Sequence, residues 1–110
     1  MIKAITLVKR KPGMSMEEFV KHYEEVHAPL GMRIFPKMKR YVRNHVLVPP
    51  GAEEPAFDCI TEGWWESMDD VIAAMRFVRS NEGKVIRDDE EKFMDRGKMV
   101  SCIVEEKRSR

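Results

Sequence analysis

Charge of one sign, cysteine and long apolar runs are all scarce in this chain. Among its 110 residues, 20 Lys and Arg face 19 Asp and Glu, leaving a formal net charge of +1. No excess of either sign demands nucleic acid, an anionic membrane or a polyanionic substrate. No uninterrupted apolar stretch approaches the roughly 18 residues that cross a bilayer. The opening Met1-Ile2-Lys3-Ala4-Ile5 reads as a strand rather than a signal peptide. A soluble, cytoplasmic protein is expected. The two cysteines, Cys59 and Cys102, lie far apart, outside any metal-ligand spacing, and read as reduced core thiols. A Gly-rich phosphate loop, a Gly-x-Ser-x-Gly nucleophile elbow and paired His/carboxylate metal spacings are also missing, so neither metal nor cofactor is expected. The length allows one compact core, and residues 1–110 read as one domain. A chain this short buries only roughly two-thirds of its unfolded surface, which leaves little interior for a pocket unless a second copy helps.

What is present is a clear succession of elements. Ile2 to Lys9 is rich in β-formers and is stopped by Lys11-Pro12-Gly13, predicting a strand and a turn. Ser15-Met16-Glu17-Glu18 has the capping-box form, and Met16, Phe19, Val20, Tyr23, Val26 and Leu30 recur at helical spacing behind it. Pro29 should loosen or end that helix near Leu30, with a looser segment through Gly31 and Pro36. Lys39 to Val48 alternates as a second strand, Pro49 to Pro55 is a loop, and a third strand should run from Phe57 to about Trp65. Ser67 caps a second helix with the stripe Met68, Val71, Ile72, Met75 and Val78. After Ser80-Asn81-Glu82-Gly83, a further helical stretch carries Val85, Ile86, Asp89 and Phe93 up to Gly97, and Met99 to Glu105 is a last strand.

The order β-α-β-β-α-β predicts an α+β, ferredoxin-like fold: a four-stranded antiparallel sheet with helices on one face. Helices cover only one face, yet the first, second and fourth strands carry apolar residues on both. A second copy packed there is the favoured reading; a different partner, or tolerated exposed apolar surface, would leave the same pattern.

At about 100° per residue, His27 falls within roughly 40° of the centre of the first helix's apolar stripe. It faces inward, whereas His22 sits at the stripe's edge. A satisfied core histidine has the same spacing; so does a general acid/base, since an unperturbed imidazole titrates near ~6.5. Tyr41 shares a strand face with Arg43 and His45, a trio able to hold a phenolate, enolate or carboxylate, and the same pattern suits a partly exposed amphipathic strand. Asn44 lies on the opposite face unless a bulge intervenes. Asp58, Glu62 and Trp64 share a face of the third strand, as an acid pair beside an aromatic ring or as exposed rim carboxylates. Asp89, between Val85 and Phe93 on an apolar stripe, needs a partner, since an unpaired buried carboxylate is costly. A helix N-terminus or a tyrosine would serve.

Lys9-Arg10-Lys11-Pro12-Gly13-Met14-Ser15, Glu18-Phe19, Tyr23 and His27-Ala28-Pro29-Leu30 closely resemble the opening of EthD-domain proteins, of the dimeric α+β barrel superfamily. Tyr41 to His45 looks like that family's second strand, Phe57-Asp58 with Glu62 and Trp64 like its third, and Glu82-Gly83 with Asp89 and Phe93 through Asp95 like its C-terminal helix. Tyr23 departs from the family's usual tryptophan. The resemblance implies a homodimer with facing sheets and a pocket between sheet and helices in each subunit. It also implies small cyclic or aromatic ligands, handled without metal or flavin by lactone isomerisation, dehydration or decarboxylation. The family's oxidoreductase label comes from a founding member that accompanies a haem monooxygenase system for ether degradation.

Two function classes follow. One is a cofactor-independent isomerase or lyase acting on a small hydrophobic cyclic or aromatic metabolite, with His27 as general acid/base, Tyr41 polarising a substrate oxygen, and Tyr23, Asn44, Asp58, Trp64 and Asp89 as substrate-binding candidates. The other is a non-catalytic module that binds such a molecule or supports an oxygenase. A cofactor-free monooxygenase is a third reading, marked by no particular residue.

Overall fold

A computed structural model describes residues 1–110. The strands are β1 (Ile2–Val8), β2 (Arg40–His45), β3 (Cys59–Trp65) and β4 (Val100–Val104). The helices are α1 (Met16–His22), a π-helical turn (Tyr23–His27), α2 (Ala28–Ile34), α3 (Met68–Arg79) and α4 (Lys84–Phe93), with a 3₁₀ turn at Arg96–Lys98. The sheet order is β2-β3-β1-β4 and every neighbouring pair is antiparallel. β3 is thus inserted between β1 and β2, the ferredoxin-like arrangement of an α+β fold. No helix is long and apolar enough to cross a membrane.

The capping box forms as the spacing predicts. The Glu18 backbone N–H donates to the Ser15 hydroxyl at 3.1 Å, and the Glu18 carboxylate accepts from the Ser15 N–H at 3.2 Å. The helix does not stop at Leu30, however; it runs on to Ile34. Proline cannot donate a backbone hydrogen bond and its ring crowds the carbonyl four residues back. The turn preceding Pro29 widens to accommodate this, and the Ala28 N–H reaches the Tyr23 carbonyl five residues back. The wider turn also rotates the inward face. From Tyr23 it advances to His27, 2% exposed, and leaves Val26 46% exposed, contrary to the simple helical stripe.

Other boundaries shift for local reasons. β3 begins at Cys59 rather than Phe57, because Asp58 turns inward to accept the Arg10 N–H at 2.8 Å. β2 is Arg40–His45 rather than reaching Val48, and Leu47 is solvent-exposed. α4 stops at Phe93, short of Gly97, with the 3₁₀ turn beyond it. On α3 and α4, Met68, Ile72, Met75 and Val85 are exposed while Val71, Ala74, Ile86, Asp89 and Phe93 are buried, so both stripes are narrower than their apolar content suggests.

All helices lie against the sheet face that carries Val8, Cys59, Thr61 and Trp65. Phe19, Tyr23, Phe93 and Met94 pack with Val8 and Cys59 at one end, where burying each large ring is worth ~2 kcal/mol relative to leaving it in water. Trp65, Val71 and Ala74 form a second cluster with Ile2, Ala4 and Met38. Between the clusters the helix-facing residues are small. Ala4 pairs with Gly63, and Thr6 pairs with Thr61 on one side and Ser101 on the other. The space their side chains leave is the cavity described below. Gly63 has no room to be larger, since a Cβ there would meet the Trp65 ring at 2.8 Å.

The opposite face holds Ile5, Leu7, Val42, Ile60 and Val100, with Ile60 38% and Val100 49% exposed. Among these, Lys3 bonds Glu62 at 2.7 Å and Glu106 at 2.8 Å, and lies 4.9 Å from the centre of the Trp64 ring.

Candidate functional site

A cavity of about 660 Å³ lies between the sheet and the helices, with mostly apolar walls. Phe35, Met38, Trp65, Val71, Met94 and Ile103 supply that character, and Tyr23, His27, Tyr41, Thr61 and Glu90 supply polar groups. Few polar groups converging on an apolar hollow is the usual make-up of a small-molecule site. A second concavity, of about 500 Å³, sits over the turn after β1, walled by Lys9, Arg10, Lys11 and Glu54, and shares no residue with the first.

His27 reaches the cavity because of the π-helical turn, and a dyad holds its ring. The Nδ1 of His27 lies 2.8 Å from Oδ2 of Asp89, and the Nε2 of His22 lies 3.0 Å from Oδ1 of the same carboxylate. A carboxylate accepts, so each facing ring nitrogen carries the hydrogen. Nε2 of His27 has no partner in the chain and keeps its lone pair. Burial pushes the His27 imidazole below its ordinary value, outweighing the opposing pull of Asp89, so at neutral pH the ring is an uncharged base. Asp89's partners are therefore two histidines, neither a helix N-terminus nor a tyrosine. Its oxygens point at those rings, which makes it a positioning residue behind His27.

Tyr23 and Tyr41 present phenols to the same hollow. The Tyr23 hydroxyl pairs with the Thr61 hydroxyl at 2.5 Å. Burial raises Tyr23 well above the usual phenol value and pushes Tyr41 up to about 12. Both stay protonated near neutrality, so Tyr41 can donate to a ligand oxygen but is no phenolate base. Arg43 and His45 do not join it there. Glu24 accepts from Arg43 at 2.7 Å and is 2.7 Å from Nε2 of His45, which ties β2 to the π-helical turn; Arg43 chiefly holds the Glu24 carboxyl down to about 2. Burial lifts the Cys59 thiol to about 11, which makes it a packing group rather than a nucleophile.

Three other candidates lie elsewhere. Asn44 is on the opposite sheet face, donating to the Ile60 carbonyl at 2.8 Å and to Glu62 at 3.1 Å. Trp64 is on that face too, beneath Lys3 and Arg40. Asp58 is fully buried at the end of β1, near Lys9 at 3.5 Å and Arg10 at 3.8 Å, with no place in the cavity wall. The alternation that separates Tyr41 from Asn44 is regular, and no bulge brings them together.

The residue that sequence reasoning missed is Glu90, on α4 one turn beyond Ile86 and one turn before Met94. That four-residue spacing was the available signal. Burial pushes its carboxyl up to about 7, against the pull of the Arg96 guanidinium at 3.6 Å. No group of three or more His, Cys, Asp and Glu side chains is arranged to hold a metal ion.

A ferredoxin-like sheet with an apolar hollow under its helices, entered by a carboxylate-held histidine, defines a small α+β protein with a candidate small-molecule site. The EthD-domain profile matches residues 11–97, and the chain belongs to the EthD family. Among solved structures it is similar to an EthD family protein from Bacillus halodurans C-125, at 26% identity and TM-score 0.70, covering 97% of this chain and 100% of that one. An EthD-like protein from Ralstonia eutropha JMP134 shares 23% identity at TM-score 0.70, covering 98% and 95%. A dimeric protein of unknown function and ferredoxin-like fold from Bacteroides fragilis NCTC 9343 shares 14% identity at TM-score 0.63, covering 94% of each chain. No curated protein matches the chain.

Proposed function

We propose that this chain, acting as one domain, is an enzyme of the isomerase or lyase type that moves a proton on a small hydrophobic cyclic or aromatic metabolite, using its own side chains rather than a cofactor. The observation that carries this reading is the Asp89–His27 contact at 2.8 Å, behind a ring whose other nitrogen is unpartnered in the wall of an apolar cavity. An oriented neutral imidazole is equipped to remove a proton from carbon next to a carbonyl, and the Tyr41 hydroxyl to stabilise the enolate oxygen that forms. Such a positioned base typically supplies ~10²–10⁴-fold in rate. The ordinary purchase of an apolar pocket on a ring system supports the substrate class.

The working unit in this proposal is a homodimer joined through the apolar outer sheet faces, and the description of the Bacteroides relative as dimeric supports it. The unpaired cysteines suit a reducing cytoplasm.

The test is solvent deuterium exchange at the carbon next to the carbonyl of β-tetralone, followed by NMR. Exchange above the buffer rate that disappears in His27→Ala is the expected result. A wild-type protein that binds such ketones without exchanging them points instead to a binding or accessory module.

A further inference from the structure

We propose that Glu90 is the cavity's second proton-transfer group, the acid that returns a proton to the ligand His27 deprotonates; this rests on the proton-transfer reading above. Two adjacent carboxylates on α4 have divided their roles. Asp89 is occupied by two imidazoles at 2.8 and 3.0 Å. Glu90, its side chain 16% exposed, lines the cavity; its carboxyl makes no hydrogen bond within the chain, and its one ion pair is with the Arg96 guanidinium at 3.6 Å. Arg96 itself divides between Glu90 and Glu91, the latter at 3.2 Å.

The charged and titratable groups around Glu90 are Arg96 from the 3₁₀ turn, Arg87 and Asp89 from α4, Arg79 from the cavity rim on α3, and Tyr41 from β2. Burial favours the neutral acid and Asp89 reinforces it, and together they outweigh the pull of Arg96 and Arg87 toward the carboxylate. Near neutral pH both forms of Glu90 are populated, whereas burial drives His27 the other way, toward the free base. Two titratable groups displaced in opposite directions around one hollow is the pattern that assigns an acid and a base.

The ligand class follows: a cyclic ketone with an acidic C–H and a second site for the proton. For a β,γ-unsaturated ketone, Nε2 of His27 takes the α proton, and the C–H electron pair forms a dienolate whose oxygen Tyr41 hydrogen-bonds. The Glu90 hydroxyl proton then adds at the γ carbon, the carbonyl re-forms and the alkene moves into conjugation. One proton leaves and one arrives, so the product is an isomer. The imidazolium and the carboxylate reset by passing one proton through solvent.

The probe is the β,γ-unsaturated isomer of cyclohexenone in deuterated buffer, with α-exchange and conversion to the conjugated ketone followed together by NMR. Glu90→Gln is expected to lower the ratio of isomerisation to exchange by on the order of 10²-fold, and Glu90→Asp to restore part of it. A wild-type ratio in Glu90→Gln overturns the assignment of Glu90 and leaves that of His27 standing. A wild-type protein that accelerates neither process overturns both. An independent reading comes from carbon-13 NMR of the Glu90 carboxyl, expected to titrate near neutrality; titration in the ordinary carboxylate range overturns the role of Glu90 alone.

Discussion

Replacing Glu90 by Gln should stabilise the protein at neutral and alkaline pH, and far less near pH 5. The folded-state value of Glu90 is raised from 4.5 to about 7, so the folded chain holds a proton that the unfolded chain releases. Where the native state binds more protons, stability falls as pH rises, here between about 4.5 and 7. Above that window the wild type carries a buried carboxylate, at a cost of ~3 kcal/mol for a displacement of this size. Gln has the same shape and no charge, and removes the cost. That displacement is already net of the pull of Arg96, so losing this ion pair adds no separate cost. The gain should be ~3 kcal/mol at pH 8, about 12 °C in melting temperature for a chain of this size. Near pH 5 the native carboxyl is already neutral and the gain should fall below ~1 kcal/mol. Urea unfolding at both pH values, at matched protein concentration, measures the difference. Equal effects at pH 5 and pH 8, or destabilisation at pH 8, would refute the burial argument.

Asp89→Asn replaces an acceptor of two N–H groups with an amide that offers one oxygen, so one imidazole loses its bond or changes tautomer. With hydrogen bonds to a charged acceptor worth ~1.5–3 kcal/mol, a loss of ~2 kcal/mol in urea unfolding is expected, together with slower ketone exchange; unchanged exchange would remove Asp89 from the positioning role. Gly83→Ala should cost ~2 kcal/mol or more, because a Cβ there would lie 2.1 Å from the Phe77 carbonyl oxygen and 2.7 Å from Val78 Cα, both backbone. A melting temperature within a degree or so of wild type would contradict that packing. Ile60→Glu puts a charge in the middle of the outer sheet face and should halve the sedimenting mass while leaving the far-ultraviolet circular dichroism unchanged. An equal mass for variant and wild type argues against a dimer built through that face.

Element order was legible because each boundary has a local chemical cause. Ser15 and Glu18 start a helix by mutual capping, and alternation sorts Tyr41 and Asn44 to opposite faces. The inward aim of His27 was legible as well, though for an incomplete reason: the regular stripe also counted Val26, which the wider π-helical turn leaves in solvent. Long-range contacts were not legible. Asp89 showed its need for a partner, but His27 lies 62 residues away, and no local rule chooses among distant donors. Asp58 and Trp64 share a family-like segment with the cavity residues, yet the turn into β3 sends one beneath Arg10 and the pleat sends the other to the far face.

The sequence by itself determined the periodicities, caps and breaks, and through them an antiparallel sheet with helices on one side and an apolar face left over. These depend on spacings of a few residues, which a linear chain states directly. Only the tertiary structure decided that small side chains at Ala4, Thr6, Thr61 and Gly63 meet in register and leave a hollow. It also decided that Asp89 holds His27 while Glu90, paired only with Arg96, lines the cavity beside it. Cavities and proton affinities are set by which surfaces meet and how much water they exclude, and those are properties of the packed chain.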